Sequence, residues 1–251
     1  PVLSLPVPLS LAFLSARPEL GGAASAYTII DETGRVLGAH APPLERLEDI
    51  ELQLRTGGRL IYAHPTLMMR REVMLSLGGY DSRFDCSEDV ELTTRMYQAG
   101  WPILVLPERL TRFRIHGRSI SATQVRRQYF CNEATFANLR AGRTGEARLG
   151  PEHFLARAQS NLFRRIAAEA KIASFSLRRK QTILALKGRW AAAAAMAVTA
   201  SLLNPVAAAG VLARSLMRGL RAAAGALRQL RLRGALAEER LGRRATSPPA
   251  E

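Results

Sequence analysis

The apolar positions of the first half of the chain follow both helical and strand periods. Residues 24–38 contain two apolar runs around the turn sequence Asp-Glu-Thr-Gly, which predicts a β-hairpin. Leucine and isoleucine recur at helical spacing in residues 42–58, and residues 71–77 and 88–99 predict two more helices, the second with a buried stripe of Leu92, Met96 and Ala99. Residues 59–62 and the apolar run 103–106 predict strands. Because strands and helices alternate, we expect an α/β layer arrangement.

A strand with two chemically different faces is predicted over residues 110–116. Phe113 and Ile115 face one way, and the basic side chains of Arg112, Arg114 and His116 face the other. Arginine pairs bidentately with phosphate oxygens, so this face could stabilise a diphosphate. The competing interpretation is that the histidine at the strand end has only a structural role.

The pattern changes to a basic helical one in the second half. Helices are predicted at residues 126–139, 153–175 and 176–186, and a basic amphipathic helix is predicted at 214–244. Between them, residues 190–213 are mostly alanine, valine and leucine, interrupted by Asn204 and Pro205. We therefore predict two domains, residues 1–123 and an α-helical extension at residues 124–251.

The net charge of +15 is carried entirely by the second half of the chain. Residues 1–111 hold 10 Lys/Arg against 14 Asp/Glu, whereas residues 112–251 hold 26 against 7. This asymmetry indicates either a polyanionic neighbour, anionic lipid or nucleic acid, or a solvated arginine-rich face. Zinc-finger spacing and aromatic stacking patterns are absent from the sequence, which argues against nucleic acid.

A membrane surface is the polyanion that the sequence favours. Residues 190–213 are long enough to span a bilayer, but alanine contributes little to insertion, so an interfacial or soluble helical hairpin is the competing interpretation. The arginines that follow suit a helix lying on anionic headgroups. The cysteines, Cys86 and Cys131, have no Cys-x-x-Cys partners, which fits a reducing, cytosolic setting.

Two short motifs carry the candidate chemistry. A predicted helix stops at Gly78-Gly79-Tyr80-Asp81, and the next predicted helix begins with Glu88-Asp89. Acidic residues at a helix N-terminus also stabilise the helix dipole, so simple capping competes with a catalytic role for this pair. The glycine motif has the equally plain interpretation of a helix stop and turn.

Together with the Arg114-x-His116 segment, these motifs resemble glycosyltransferase family 2, over about half the chain, residues 12–123. The resemblance implies the acceptor-binding half of a GT-A fold. It implies an inverting transfer of a sugar from a nucleotide-sugar donor to a hydroxyl of a glycan or lipid-linked acceptor. By the same resemblance Asp89 is the catalytic base, and substrate-binding roles fall to Glu88, Gly78, Gly79, Tyr80, Asp81, Arg114 and His116.

The resemblance also implies a divalent cation, Mg²⁺ or Mn²⁺, with His116 as a candidate ligand. The family holds this metal with an Asp-x-Asp motif upstream, but Asp31 is the first aspartate here. We therefore expect a fragment lacking the donor-binding half, inactive by itself, and located at the cytoplasmic face of a membrane. The alternative function is a non-catalytic membrane-surface or regulatory module with a degenerate glycosyltransferase fold.

Overall fold

The computed structural model describes residues 6–116, 123–213, 215–217 and 219, in a mixed α/β arrangement. Its strands are β1 Gly22–Ile30, β2 Val36–His40, β3 Met68–Met69 and β4 Ile103–Arg114. The first-half helices are α1 Pro6–Ser15, α2 Leu47–Arg55, α3 Arg71–Ser76 and α4 Glu88–Gln98. The second-half helices are α5 Val125–Arg140, α6 Pro151–Gln159, α7 Leu162–Leu186 and α8 Trp190–Leu203.

The four strands form one mixed sheet built around β1. The predicted hairpin is confirmed, since β2 pairs antiparallel with β1, and β3 adds a short antiparallel pairing. β4 runs parallel to β1, from Gly22 opposite Ile103 to Ile30 opposite Arg114. The predicted strands at 103–106 and 110–116 thus belong to a single strand, buried at first and alternating later. The predicted α/β class is confirmed.

The main core lies where α4 packs against the sheet. Leu92 and Met96 of α4 are fully buried with Leu20 and Val105, as their helical spacing predicted. Ala99, also expected on that buried stripe, is exposed. The helix ends at Gln98, and Gly100 turns the chain away with φ +83°. The buried stripe therefore stops one turn earlier than predicted.

The prediction of a strand at residues 59–62 is wrong. Leu60 and Tyr62 are buried and Ile61 is exposed, so the segment alternates as a strand would. The Tyr62 hydroxyl donates to the carbonyl oxygen of Ile103 at 2.9 Å, and that contact fixes the segment without a backbone ladder. Alternating burial reports an extended chain, whereas a strand also needs a paired neighbour.

The helices predicted between residues 126 and 186 are found, but one boundary differs from the prediction. The break lies between α6 and α7, whereas the sequence pattern placed it at residue 175. Asn161 explains the difference, because its side-chain oxygen accepts from the Arg164 amide at 2.9 Å and caps α7. An ion pair of 2.6 Å between Arg59 and Glu133 links α5 to the first half.

The chain as far as Val206 forms one compact unit, and Ala207 begins a second. In the part of the chain that the structure describes, no single helix is long and apolar enough to cross a membrane. Taken together, the bent pair Trp190–Leu203 and Pro205–Met217 would be long and apolar enough, judged by length and composition alone. The predicted basic helix at 214–244 lies almost wholly outside the described residues.

Candidate functional site

The Gly78-Gly79 turn separates α3 from the segment that leads into α4. Gly78 has φ +80° and Gly79 has φ +68°, a left-handed conformation that residues with a Cβ adopt only at a cost. Added Cβ atoms would meet nothing within 4 Å at either position. The two glycines are therefore required here by backbone conformation rather than by close contact with a neighbour.

A buried ionic network lies beneath this turn. Arg95 of α4 donates to the carbonyl oxygens of Leu77 and Gly79, the latter at 2.6 Å. Its guanidinium also pairs with Glu91 at 2.7 Å, and the two side chains are only 10% and 3% exposed. Arg148, from the connection before α6, contacts the same Glu91 carboxylate. The turn is thus held to α4 by a guanidinium that both carbonyls share.

Asp81 belongs to this network. Its carboxylate accepts from Arg83 at 2.7 Å and from Arg148 at 3.0 Å, and it also caps the short turn Ser82–Phe84 through the Arg83 amide. The hydrogen bond from the Arg83 side chain is the main reason why its pKa falls to about 2. The structure gives Asp81 a structural set of partners, and its predicted contact with a sugar hydroxyl stays a prediction.

The first turn of α4 brings four polar side chains together. Nε2 of His64 lies 3.2 Å from the Tyr80 hydroxyl, and Nδ1 of the same ring lies 3.9 Å from a carboxylate oxygen of Glu88. Asp89 is close enough for its charge to act on Tyr80 and for His64 to act on it. We call His64, Tyr80, Glu88 and Asp89 the carboxylate cluster.

Within the carboxylate cluster, Asp89 has the environment of a proton acceptor. Burial raises the pKa of its carboxyl, and this exceeds the opposing effects of the Val90 amide and of His64. The Val90 amide donates to Asp89 Oδ1 at 2.8 Å, so the capping interpretation holds in part. Burial likewise raises the pKa of the Tyr80 hydroxyl, with the charges of Asp89 and Glu88 adding to the effect.

Arg114 and His116 lie at the far end of β4, apart from the hydrogen-bonded contacts of the carboxylate cluster. Arg114 donates to the carbonyl oxygens of Asp31 and Glu32, at 2.8 and 2.7 Å, and so holds the tip of the hairpin. It lines a cavity of about 480 Å³ together with Arg112 and with Thr66, two residues after His64. His116 is exposed just beyond the strand. Asp89 does not line this cavity.

The described residues do not supply a metal site. In this part of the chain, no group of three or more His, Cys, Asp or Glu side chains is arranged to hold an ion. The residues of the carboxylate cluster therefore do not fit a metal, and no chemical step is assigned to one here. The divalent cation and the role of His116 stay predictions of the resemblance.

Sequence reasoning missed two residues of this region. Its position before Pro65 predicts a structural loop residue at His64, but His64 begins the tight turn His64–Thr66 and its ring contacts Tyr80. The signal available was its position at the start of the segment that leads into the glycine motif. Arg148 gave no signal, because it lies 57 residues from Glu91 in the chain.

No protein-family model matches this sequence, and no curated protein sequence matches it significantly. The resemblance to glycosyltransferase family 2 therefore rests on the motif residues of the sequence alone.

Proposed function

We propose that this chain is the acceptor-binding half of an inverting glycosyltransferase of family 2, with a partial GT-A fold. The observation that carries the proposal is the half-buried Asp89 carboxylate, whose pKa burial raises, at the first turn of α4. Tyr80, which follows the Gly78-Gly79 turn, lies close enough for the charge of Asp89 to act on it. The parallel pairing of β1 with β4 is in keeping with such a fold.

In the proposed reaction, the acceptor hydroxyl loses its proton to Asp89 as its oxygen attacks the anomeric carbon of the donor sugar. The new carbon–oxygen bond forms as the bond to the nucleoside diphosphate breaks, and the diphosphate leaves on the opposite face. Direct displacement inverts the anomeric centre. A base acts best when its pKa approaches the working pH, and burial moves Asp89 in that direction.

The proposal gives supporting roles to other predicted residues. Glu88 and Tyr80 flank Asp89 and would orient the acceptor, while Arg112 and Arg114 would pair with the donor diphosphate, as their shared strand face predicts. A divalent cation, Mg²⁺ or Mn²⁺, is implied by the resemblance alone, and the proposed proton transfer to Asp89 does not use it. The acceptor is a glycan or lipid-linked alcohol, in keeping with a cytoplasmic membrane face.

The test is Asp89→Asn in the full-length gene product, measured as release of nucleoside diphosphate from a panel of UDP-, GDP- and dTDP-sugars. Removing a general base lowers turnover by about 10²–10⁴-fold. Asp85→Asn is the matched control, since Asp85 pairs with Arg127 at the surface, at 2.6 Å. We expect the control to keep wild-type turnover.

Equal turnover by Asp89→Asn and the wild type would remove the base assignment. Turnover of no sugar donor by the full-length wild type would favour the non-catalytic module, for which Asp89→Asn changes nothing. If Asp89 is the base, turnover by the wild type should fall as the pH drops through the pKa of Asp89. The Asp89→Asn variant should not show this fall.

A further inference from the structure

The α7–α8 pair forms a helical hairpin whose open end is apolar. Gly188 turns the chain with φ +73°, and the Ser174 hydroxyl donates to the Ala200 carbonyl oxygen at 2.7 Å, so the helices run antiparallel. The start of α7 therefore lies beside the end of α8. Leu162 and Leu203 line one cavity of about 440 Å³ between them.

Large apolar side chains are exposed at this open end. Phe163 is 84% exposed, Leu202 77% and Val206 83%, with Leu162 and Ile166 next to them. We call these five residues the hairpin patch. Scattered exposed leucines are ordinary, whereas several on adjoining helix ends indicate an interaction site.

The surroundings of the hairpin patch are cationic. Residues 157–171, around the start of α7, hold 4 Lys/Arg and 1 Asp/Glu. Arg164 and Arg165 adjoin Phe163, and Glu169, the nearby acid, pairs with Arg126. An apolar patch surrounded by positive charge suits the boundary between anionic headgroups and acyl chains.

Charge also indicates which partner would cover the hairpin patch. A second copy would present the same cationic face, and residues 207–251 hold 9 Arg against 3 Glu, so both would add like charge. An anionic lipid surface complements both the apolar side chains of the hairpin patch and the positive charge around them.

We propose that the hairpin patch inserts into the interface of an anionic lipid bilayer, with Arg164 and Arg165 against the headgroups. This site goes beyond the proposed transferase chemistry and does not depend on it. It also differs from the basic segment at 214–244, which the sequence pattern singled out.

The experiment is flotation of the full chain with vesicles of phosphatidylcholine, alone or mixed with phosphatidylglycerol. The wild type should float with the mixed vesicles only, and less at high salt. Phe163→Glu combined with Leu202→Glu should lower its partition by about tenfold or more, because each exposed side chain loses apolar burial in the bilayer. Both positions are exposed, so the fold is expected to persist, and circular dichroism checks this.

Leu75→Glu is the matched control, since Leu75 is an exposed leucine on α3, 51% accessible, and should float as the wild type does. Wild-type flotation by the double variant would overturn the proposal, as would failure of the wild type to float. A patch-dependent dimer in sedimentation velocity, without lipid binding, would assign the surface to a second copy instead.

Discussion

Asp81 and Asp89 are two aspartates at opposite ends of one connection, and their surroundings push them in opposite directions. Asp81 has guanidinium partners in Arg83 and Arg148, and its pKa falls to about 2. Asp89 is half-buried beside Glu88, and burial raises its pKa. The same residue type is therefore stabilised as an anion at one end and destabilised at the other.

The opposite pKa shifts separate an aspartate with a structural role from a candidate catalytic aspartate within one small region. The ionic network of Asp81, Glu91, Arg95 and Arg148 fixes the glycine turn, which presents Tyr80 to the carboxylate cluster. Carboxylates whose pKa is raised by burial are typical of functional sites, whereas carboxylates paired with several guanidinium groups are typical of structural ion-pair networks. Three predictions test whether this division holds.

The largest effect on stability is expected from breaking the network. Arg95→Met removes the guanidinium that bonds Glu91, Leu77 and Gly79, and loss of one partner from a buried pair costs about 3–5 kcal/mol. The measurement is the free energy of unfolding in urea. Arg127→Met is the control, since its pair with Asp85 is exposed and worth about 1 kcal/mol or less. Equal losses in both variants would mean that the network is not a scaffold.

An intermediate effect is expected for Asp81. A pKa of about 2 against the ordinary 3.8 means that the ionised form stabilises the fold above pH 3.8, and that this stabilisation fades as the pH falls toward 2. Asp81→Asn should lower the free energy of unfolding by about 1–2 kcal/mol at neutral pH, less than full linkage because water screens the partly exposed Arg83. Urea titrations from neutral to acid pH measure the difference in the free energy of unfolding between Asp81→Asn and the wild type. A difference that stayed constant with pH would contradict the prediction.

The smallest expected effect is a gain in stability, for substitution of Asp89. Because the pKa of Asp89 is raised, its contribution to stability is present below pH 3.8 and lost as the pH rises through the folded pKa. Asp89→Asn should therefore raise the melting temperature slightly at neutral pH, and the gain should disappear in acid. Thermal melts at both pH values provide the measurement, with Asp85→Asn as the control. A lower melting temperature for Asp89→Asn would assign Asp89 to the scaffold along with Asp81.

Local patterns were sufficient for most of the elements. The hairpin β1–β2 followed from its turn residues, and α4 followed from its acidic start, its buried Leu92 and Met96 and the glycine after it. The strand prediction for residues 59–62 failed because buried Leu60 and Tyr62 alternate with exposed Ile61 without a strand beside them. The break before α7 was missed because a single capping asparagine decides it.

The candidate site divides in the same way. Sequence alone placed Glu88 and Asp89 at the start of a helix and two glycines at the end of another, because capping and left-handed turns depend on neighbours a few residues away. Tertiary structure alone decided that His64 reaches Tyr80, that Arg148 crosses to Asp81 and Glu91, and that Asp89 is the carboxylate disfavoured as an anion. Burial and charge pairing depend on which distant segments meet in space, and no local pattern records that.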